Sequence, residues 1–306
     1  MDGILIIDKP AGWTSHDVVA KIRGITRIKK VGHTGTLDPF ATGTLPLALG
    51  RATRLTSYYQ ASDKVYRGVM RFGFATNTYD VEGEPLGEDT NPYLDPVRLE
   101  DIFSRWHGVI QQTLPPYSAK KVQGKPLYAY ARKGIEMAPV VKEVTIKSLK
   151  LLGVNHNSAE FELACAAGAY ARSLAHDIGR EYGCGAHLAR LQRIRCGDFS
   201  IEEAAPLTPQ NDTQSYYTAE FFFNRIIPMN RLLTEIPSIV VSDGDKQKLL
   251  HGNDLNILSA EWQAENYRLL DTDGALVAIA RKIQVFEPPT DQPVRWLRLH
   301  PTITFG

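Results

Sequence analysis

Along this chain the apolar positions come in short runs whose period changes from one segment to the next. Residues 3–7 (GILII) are continuously apolar and of strand length. After the turn at Pro10 and Gly12, Thr14 and Asp17 have capping-box spacing, and Val18, Ile22 and Ile25 share one face. That pattern predicts a helix ending near Ile25. Residues 51–60 read as a short helix and 65–72 (VYRGVMRF) as a strand. Asp95 before Pro96 predicts a helix start, with Ile102, Phe103 and Trp106 on its inner face and an end before Gly108. A further helix is expected from Pro126 to Gly134. Residues 144–154 and 158–164 alternate like paired strands around a tight polar turn at 155–157. Leu174, Ile178 and Tyr182, spaced by four, place a helix over residues 170–182. Strands and helices in this order, without regular βαβ alternation, predict an α+β fold.

The pattern changes towards the C-terminus. Residues 208–215 (TPQNDTQS) are polar and turn-forming, and 221–233 are bulky and apolar. From Ser238 onward short strands dominate (SIVVS, YRLLD, ALVAIA, RWLRLH), with DTDG at 271–274 as a hairpin turn. Two units are expected: 1–236, including a linker from about 207, and a small β-rich module at 237–306. A length of 306 residues suits one large and one small domain.

Composition alters this picture little: 43% hydrophobic and 23% charged residues are ordinary for a globular protein. A net charge of +1 argues against a strongly basic nucleic-acid binder, but the distribution of charge matters more than its sum. Lys21, Arg23, Arg27, Lys29 and Lys30 form an acid-free run, as do Lys120, Lys121, Lys125, Arg132 and Lys133. Arg190, Arg193 and Arg195 make a third cluster. Each is either a solvated face or a patch facing phosphates. Between Asp80 and Asp101 eight acids stand against Arg98 alone, so this region is expected to face away from nucleic acid. Residues 238–306 carry seven Lys/Arg and nine Asp/Glu, so any RNA contact there must be local. Neither a leader nor an apolar run of about 20 residues is evident, and a cytoplasmic location is expected. Cys165, Cys184 and Cys196 form no C-x-x-C pair, and Cys184, His187 and Cys196 lack a fourth ligand; no metal is expected.

Candidate chemistry concentrates in residues 32–50, GHTGTLDPFATGTLPLALG. Asp38 is the only acid in this run. Asp38-Pro39 is first of all a turn. Yet an acid between Leu37 and Phe40 sits against apolar groups, where an unpaired charge is costly. Gly32, Gly35 and Gly43 permit close backbone approach, and His33 adds a planar group able to stack or donate.

The same run resembles the catalytic motif of the TruB-type tRNA pseudouridine synthases. Further matches are DKPxGxTS at 8–15, Lys64-x-Tyr66 leading into GxxTxTxD at 73–80, and the segment around Gly168–Arg172. The resemblance implies a mixed, mostly antiparallel sheet with a deep catalytic cleft flanked by helices, and a small C-terminal PUA-like RNA-binding domain. It implies conversion of the T-loop uridine, tRNA position 55, to pseudouridine by glycosidic cleavage, base rotation and reattachment through C5. The isomerisation is redox-neutral and needs no cofactor. The partner implied is the tRNA T-arm, bound by a monomer with no obligatory protein partner. By resemblance, Asp38 attacks the sugar or the uracil ring, or removes a ribose proton. Arg172 keeps it ionised, and Tyr66 stacks on the target base and assists loss of the C5 proton. Tyr170 and Leu191 line the uracil pocket, and His33 occupies the place the flipped base vacates. Lys29 and Lys30 belong to the phosphate-facing patch. Outside the resemblance, Tyr66 reads as a strand aromatic, Arg172 as a surface helix residue, and Tyr170 and Leu191 as core. Three departures stand out: Leu114 replaces a usual proline, 167–172 read AGAYAR rather than K/S-GTYIR, and Gln192-Arg193 replaces Arg-Arg. A different class of function, an RNA-binding folding helper for tRNA, needs the cleft and the basic patches but not Asp38. Guide-directed modification of other RNAs is a third, which the compact tail argues against.

Overall fold

The computed structural model describes residues 1–118, 120–122, 124–135, 137–208, 217–286 and 294–306. The main body is built from strands β1 (Gly3–Lys9), β2 (Val31–His33), β3 (Thr42–Leu49), β4 (Lys64–Phe72), β5 (Gly108–Thr113), β6 (Val141–Asn155), β7 (Ser158–Cys165) and β8 (Ala186–Cys196). Helices α1 (Ser15–Thr26), α2 (Pro96–Arg105) and α3 (Ala171–Tyr182) accompany them. The sheet runs β1-β3-β8-β4-β7-β6-β5, with Ala205–Pro206 extending it beyond β1. Within this sheet, only the β3–β8 and β1–Ala205–Pro206 junctions are parallel among the described residues. The α+β expectation and its mostly antiparallel sheet therefore hold.

The continuous apolar run of β1 has a direct cause: both of its faces are covered. Leu5 and Ile7 join the core beneath the helices with Val18, Ile22, Leu174 and Ile178. Ile4 and Ile6 point to the opposite face, into a second core containing Tyr59, Phe199, Leu276, Ile279 and Phe305. A strand buried on both sides loses the usual alternation.

The predicted helix ends are seen. Thr14 and Asp17 form a reciprocal capping box at α1, and the Asp95 side chain accepts from Val97 N and Arg98 N at α2. Tyr170 is the N-cap of α3, and Gly183 closes it at φ 97°. The helix expected over 126–134 is shorter, Leu127–Ala131, followed by turns to Gly134.

The last sheet is β9 (Ser238–Val240), β10 (Leu255–Ser259), β11 (Asn266–Leu270), β12 (Leu276–Phe286) and β13 (Arg295–Thr304), in the order β9-β11-β12-β13-β10. The hairpin turn at 271–274 joins β11 to β12, with Gly274 at φ 78°. Two elements were not expected from the pattern: β10, and helix α4 (Asp243–Leu250), in which Leu249 is the buried residue. This sheet is fastened to the body by the second core and by Arg268, which donates to the carbonyls of Asn230, Leu232 and Ile236. No helix among the described residues is long and apolar enough to cross a membrane.

Candidate active site

Asp38 sits in the loop between β2 and β3, and this loop is braced from below by the opening motif. Lys9, wholly buried, donates through Nζ to the carbonyls of Pro10, Trp13 and Pro39 at 2.9, 2.6 and 3.1 Å. Gly12 N adds a second bond to Pro39 O, at 2.9 Å. Ser15 Oγ accepts from Leu37 N and donates to Leu37 O. Both neighbours of Asp38 are thus pinned through their backbones. DKPxGxTS holds the loop, a role its sequence did not reveal. Burial pushes the Lys9 pKa down to about 8, against the opposing pull of Asp38.

Gly43 closes the loop at φ 105°, where β3 begins to pair with β8. A Cβ there would lie 2.3 Å from Arg193 O and 2.8 Å from Arg193 N, both backbone atoms. Gly43→Ala is therefore expected to destabilise the chain by at least about 1–3 kcal/mol, read as a lower denaturation midpoint. An unchanged midpoint would mean that β3 and β8 separate freely.

At the N-terminus of α3, Arg172 links two carboxylates. Its Nη2 donates to Asp38 Oδ1 at 3.0 Å and to Tyr117 O at 3.1 Å. Its Nη1 donates to Asp80 Oδ2 at 3.2 Å and to Thr78 O at 3.3 Å. The Arg172 and Asp80 side chains are only 6% and 4% exposed, whereas Asp38 keeps 31%. Asp38 therefore presents one edge to the cleft while its other edge is paired. Burial raises its pKa, and the Arg172 charge and hydrogen bond act against that rise.

Asp38 and Arg172 line a cavity of about 270 Å³ together with Tyr66, Tyr170, Leu191 and Tyr117. Tyr66 stands on the same face of β4 as Met70 and Phe72, which lie in the helix-covered core, so Tyr66 forms the floor where that core opens. Burial pushes its phenol up to about 12, with Arg193 pulling the other way. Tyr170 is clamped by the buried Gln112, whose Oε1 accepts from Tyr170 N at 2.8 Å and whose Nε2 donates to Tyr170 O at 3.0 Å. The structure thus brings together Asp38, Tyr66, Tyr170, Arg172 and Leu191. His33, Lys29 and Lys30 do not line the cavity. His33 belongs to β2, its Nδ1 is buried without a partner among the described residues, and burial lowers its pKa. Lys29 and Lys30 are exposed just before β2.

Residues 23–171 match the model of the TruB family pseudouridylate synthase N-terminal domain, and 172–234 that of the tRNA pseudouridylate synthase B C-terminal domain. The tRNA pseudouridine synthase B of Solibacter usitatus is 42% identical over 287 residues, covering 92% of this chain and 96% of that protein. The chain belongs to the TruB family of pseudouridylate synthases. Its relative of the same name in Chromobacterium violaceum is 42% identical over 252 residues, 82% of this chain and 81% of that one. Among solved structures, a chain of a Cbf5-Nop10-Gar1 complex superposes with TM-score 0.69 at 27% identity, covering 92% of this chain and 78% of that chain. A chain from an H/ACA RNP bound to a substrate RNA containing 2'-deoxyuridine shares the fold, at TM-score 0.73 and 24% identity, over 99% of this chain and 85% of that one.

Two expectations need correction within this pseudouridylate synthase. Asp80 does not share the fate of the acidic run it opens: it is buried against Arg172, while the other seven acids up to Asp101 are exposed. A buried guanidinium facing the cleft demands more than one acceptor group, and Asp80 supplies it. Arg193 does not belong to an RNA-facing cluster. It is 1% exposed and is turned inward by its place in the central strand β8, while Arg190 and Arg195 stay outside. The T-x-T-x-D spacing at 76–80 was the signal for Asp80, since Thr78 Oγ1 bonds the same carboxylate. Gln112 left no comparable trace. Among the described residues no three His, Cys, Asp or Glu side chains gather as a metal set.

Proposed function

We propose that this chain converts the T-loop uridine of tRNA, position 55, to pseudouridine, with Asp38 as the reacting carboxylate. The observation that carries the proposal is the half-open Asp38 held by a buried Arg172–Asp80 pair above a floor of Tyr66, Tyr170 and Leu191. In the reaction the C1′–N1 bond breaks and a C1′–C5 bond forms. The C5 proton leaves and N1 gains a proton, so no oxidant, reductant or water is consumed. One carboxylate suffices, whereas hydrolysis of a glycosidic bond uses two. Tyr66 stacks on the everted base, Tyr170 and Leu191 border it, and His33 fills the gap left in the loop. Entry of the base requires unstacking, at a cost of a few kcal/mol.

Lys29 and Lys30, exposed beside the α1 run, contact phosphates of the T-arm in this reading. Affinity for tRNA should fall steeply with salt, and neutralising both lysines should flatten the log–log slope by roughly 0.7 to 0.9 per lost contact. An unchanged slope would return this patch to solvent. The catalytic unit spans 1–236 and the PUA-like RNA-binding module 237–306; a change of sheet between Ile227–Pro228 and Ser238–Val240 supports that division. The enzyme acts as a cytoplasmic monomer.

Because the C5–H bond must break, a tRNA transcript tritiated at uracil C5 tests the function directly. Stoichiometric release of tritium from a transcript with label confined to the T loop is expected. Tight binding without release would instead make the protein an RNA-folding helper.

A further inference from the structure

Tyr79 stands in the left-handed region at φ 66°, a conformation that a bulky side chain rarely adopts and that persists only where its surroundings hold it. Its backbone is fixed on both sides: Tyr79 N donates to Thr76 O at 3.2 Å, and Tyr79 O accepts from Leu188 N of β8 at 3.0 Å. Its ring stacks on His176, with centroids 3.9 Å apart and planes 19° from parallel. Both residues are half-buried. His176 Nδ1 is buried without a partner among the described residues, so no hydrogen bond from that nitrogen tethers the imidazole.

The stack lies one step from the active-site cation. His176 follows Arg172 by four residues on α3, so both project from one face of the helix. Tyr79 sits between Thr78, whose carbonyl accepts from Arg172 Nη1, and Asp80, whose Oδ2 accepts from the same nitrogen. A guanidinium is planar and rigid, so fixing Nη1 on this turn sets the direction in which Nη2 reaches Asp38 and Tyr117 O. We propose that His176 and Tyr79 are positioning residues: their stack clamps residues 78–80 to α3 and through that turn aims Arg172 at Asp38. Neither side chain lines the Asp38 cavity, so neither is a catalytic residue. The inference rests on the proposed reaction for its catalytic consequence, but the clamp itself belongs to the free protein.

His176→Ala removes the stack, and His176→Phe keeps a flat ring for Tyr79. On T-arm RNA the single-turnover rate should fall about tenfold in His176→Ala, with RNA affinity within about twofold, and return to within about threefold of native in His176→Phe. In a Tyr79→Gly background, which accepts the positive φ and has no ring to stack, His176→Ala should cost markedly less. A second readout is independent of activity. Arg172 Nε is buried without a partner among the described residues. Solvent exchange of its hydrogen, assigned by its loss in Arg172→Lys, should quicken at least about tenfold in His176→Ala and stay slow in His176→Phe. An unchanged exchange rate in His176→Ala, equal rate losses in both Tyr79 backgrounds, or a phenylalanine variant as impaired as the alanine one would reduce the stack to packing. If His176→Ala does not fold, Tyr79→Gly removes the same contact from the other side and carries the exchange measurement. Absence of turnover in the unaltered protein would instead overturn the proposed reaction and leave the exchange rate to judge the clamp alone.

Discussion

Asp38→Asn is expected to lower turnover by at least about 10³-fold while leaving tRNA affinity nearly unchanged, because the amide keeps the shape of the carboxylate and loses its charge. Stability should not fall with it. Folding raises the Asp38 pKa, so its contribution to stability is fully present below the ordinary carboxylate range and is lost as pH rises through the raised value. Above the ordinary carboxylate range the buried acid is therefore a cost that asparagine removes, and Arg172 still has Asp80. Thermal melting of the variant should match or exceed that of the native protein. Clear turnover by purified Asp38→Asn would remove Asp38 from the chemistry.

Arg172→Met should act on two properties at once. It takes away the main influence opposing the rise in the Asp38 pKa, so the acid limb of the single-turnover pH profile moves to higher pH. It also leaves Asp80 buried without its cation, an arrangement that costs about 3–5 kcal/mol. A lower melting temperature is the expected signature. Arg172→Lys, which retains a charge, covers the case in which the methionine variant does not fold. An unshifted acid limb in both would make Arg172 a scaffold for Thr78 and Tyr117 alone.

Asp38 was legible in the sequence because a lone acid among glycines and leucines is conspicuous, and its turn needs only local chemistry. The α1 cap and the α3 core face were legible for the same local reason. What escaped depends on contacts distant in sequence. Asp80 meets Arg172 across 92 residues, and in the chain it looks like the first of many acids. Arg193 was hidden by β8 itself: register shifts between Leu188 and Arg190 and between Arg193 and Arg195 break the alternation that would have marked it as inward-facing. Helix α4 escaped because its short segment DGDKQKLL offers no apolar stripe, and packing of Leu249 against the last sheet decides its place.

Base-resolution mapping of pseudouridine in an unmodified tRNA transcript incubated with the purified protein tests the central claim most directly. A single new pseudouridine at the T-loop position, absent when Asp38→Asn is used, is the predicted result. No modification with the native protein, modification elsewhere, or the same product from Asp38→Asn would contradict it.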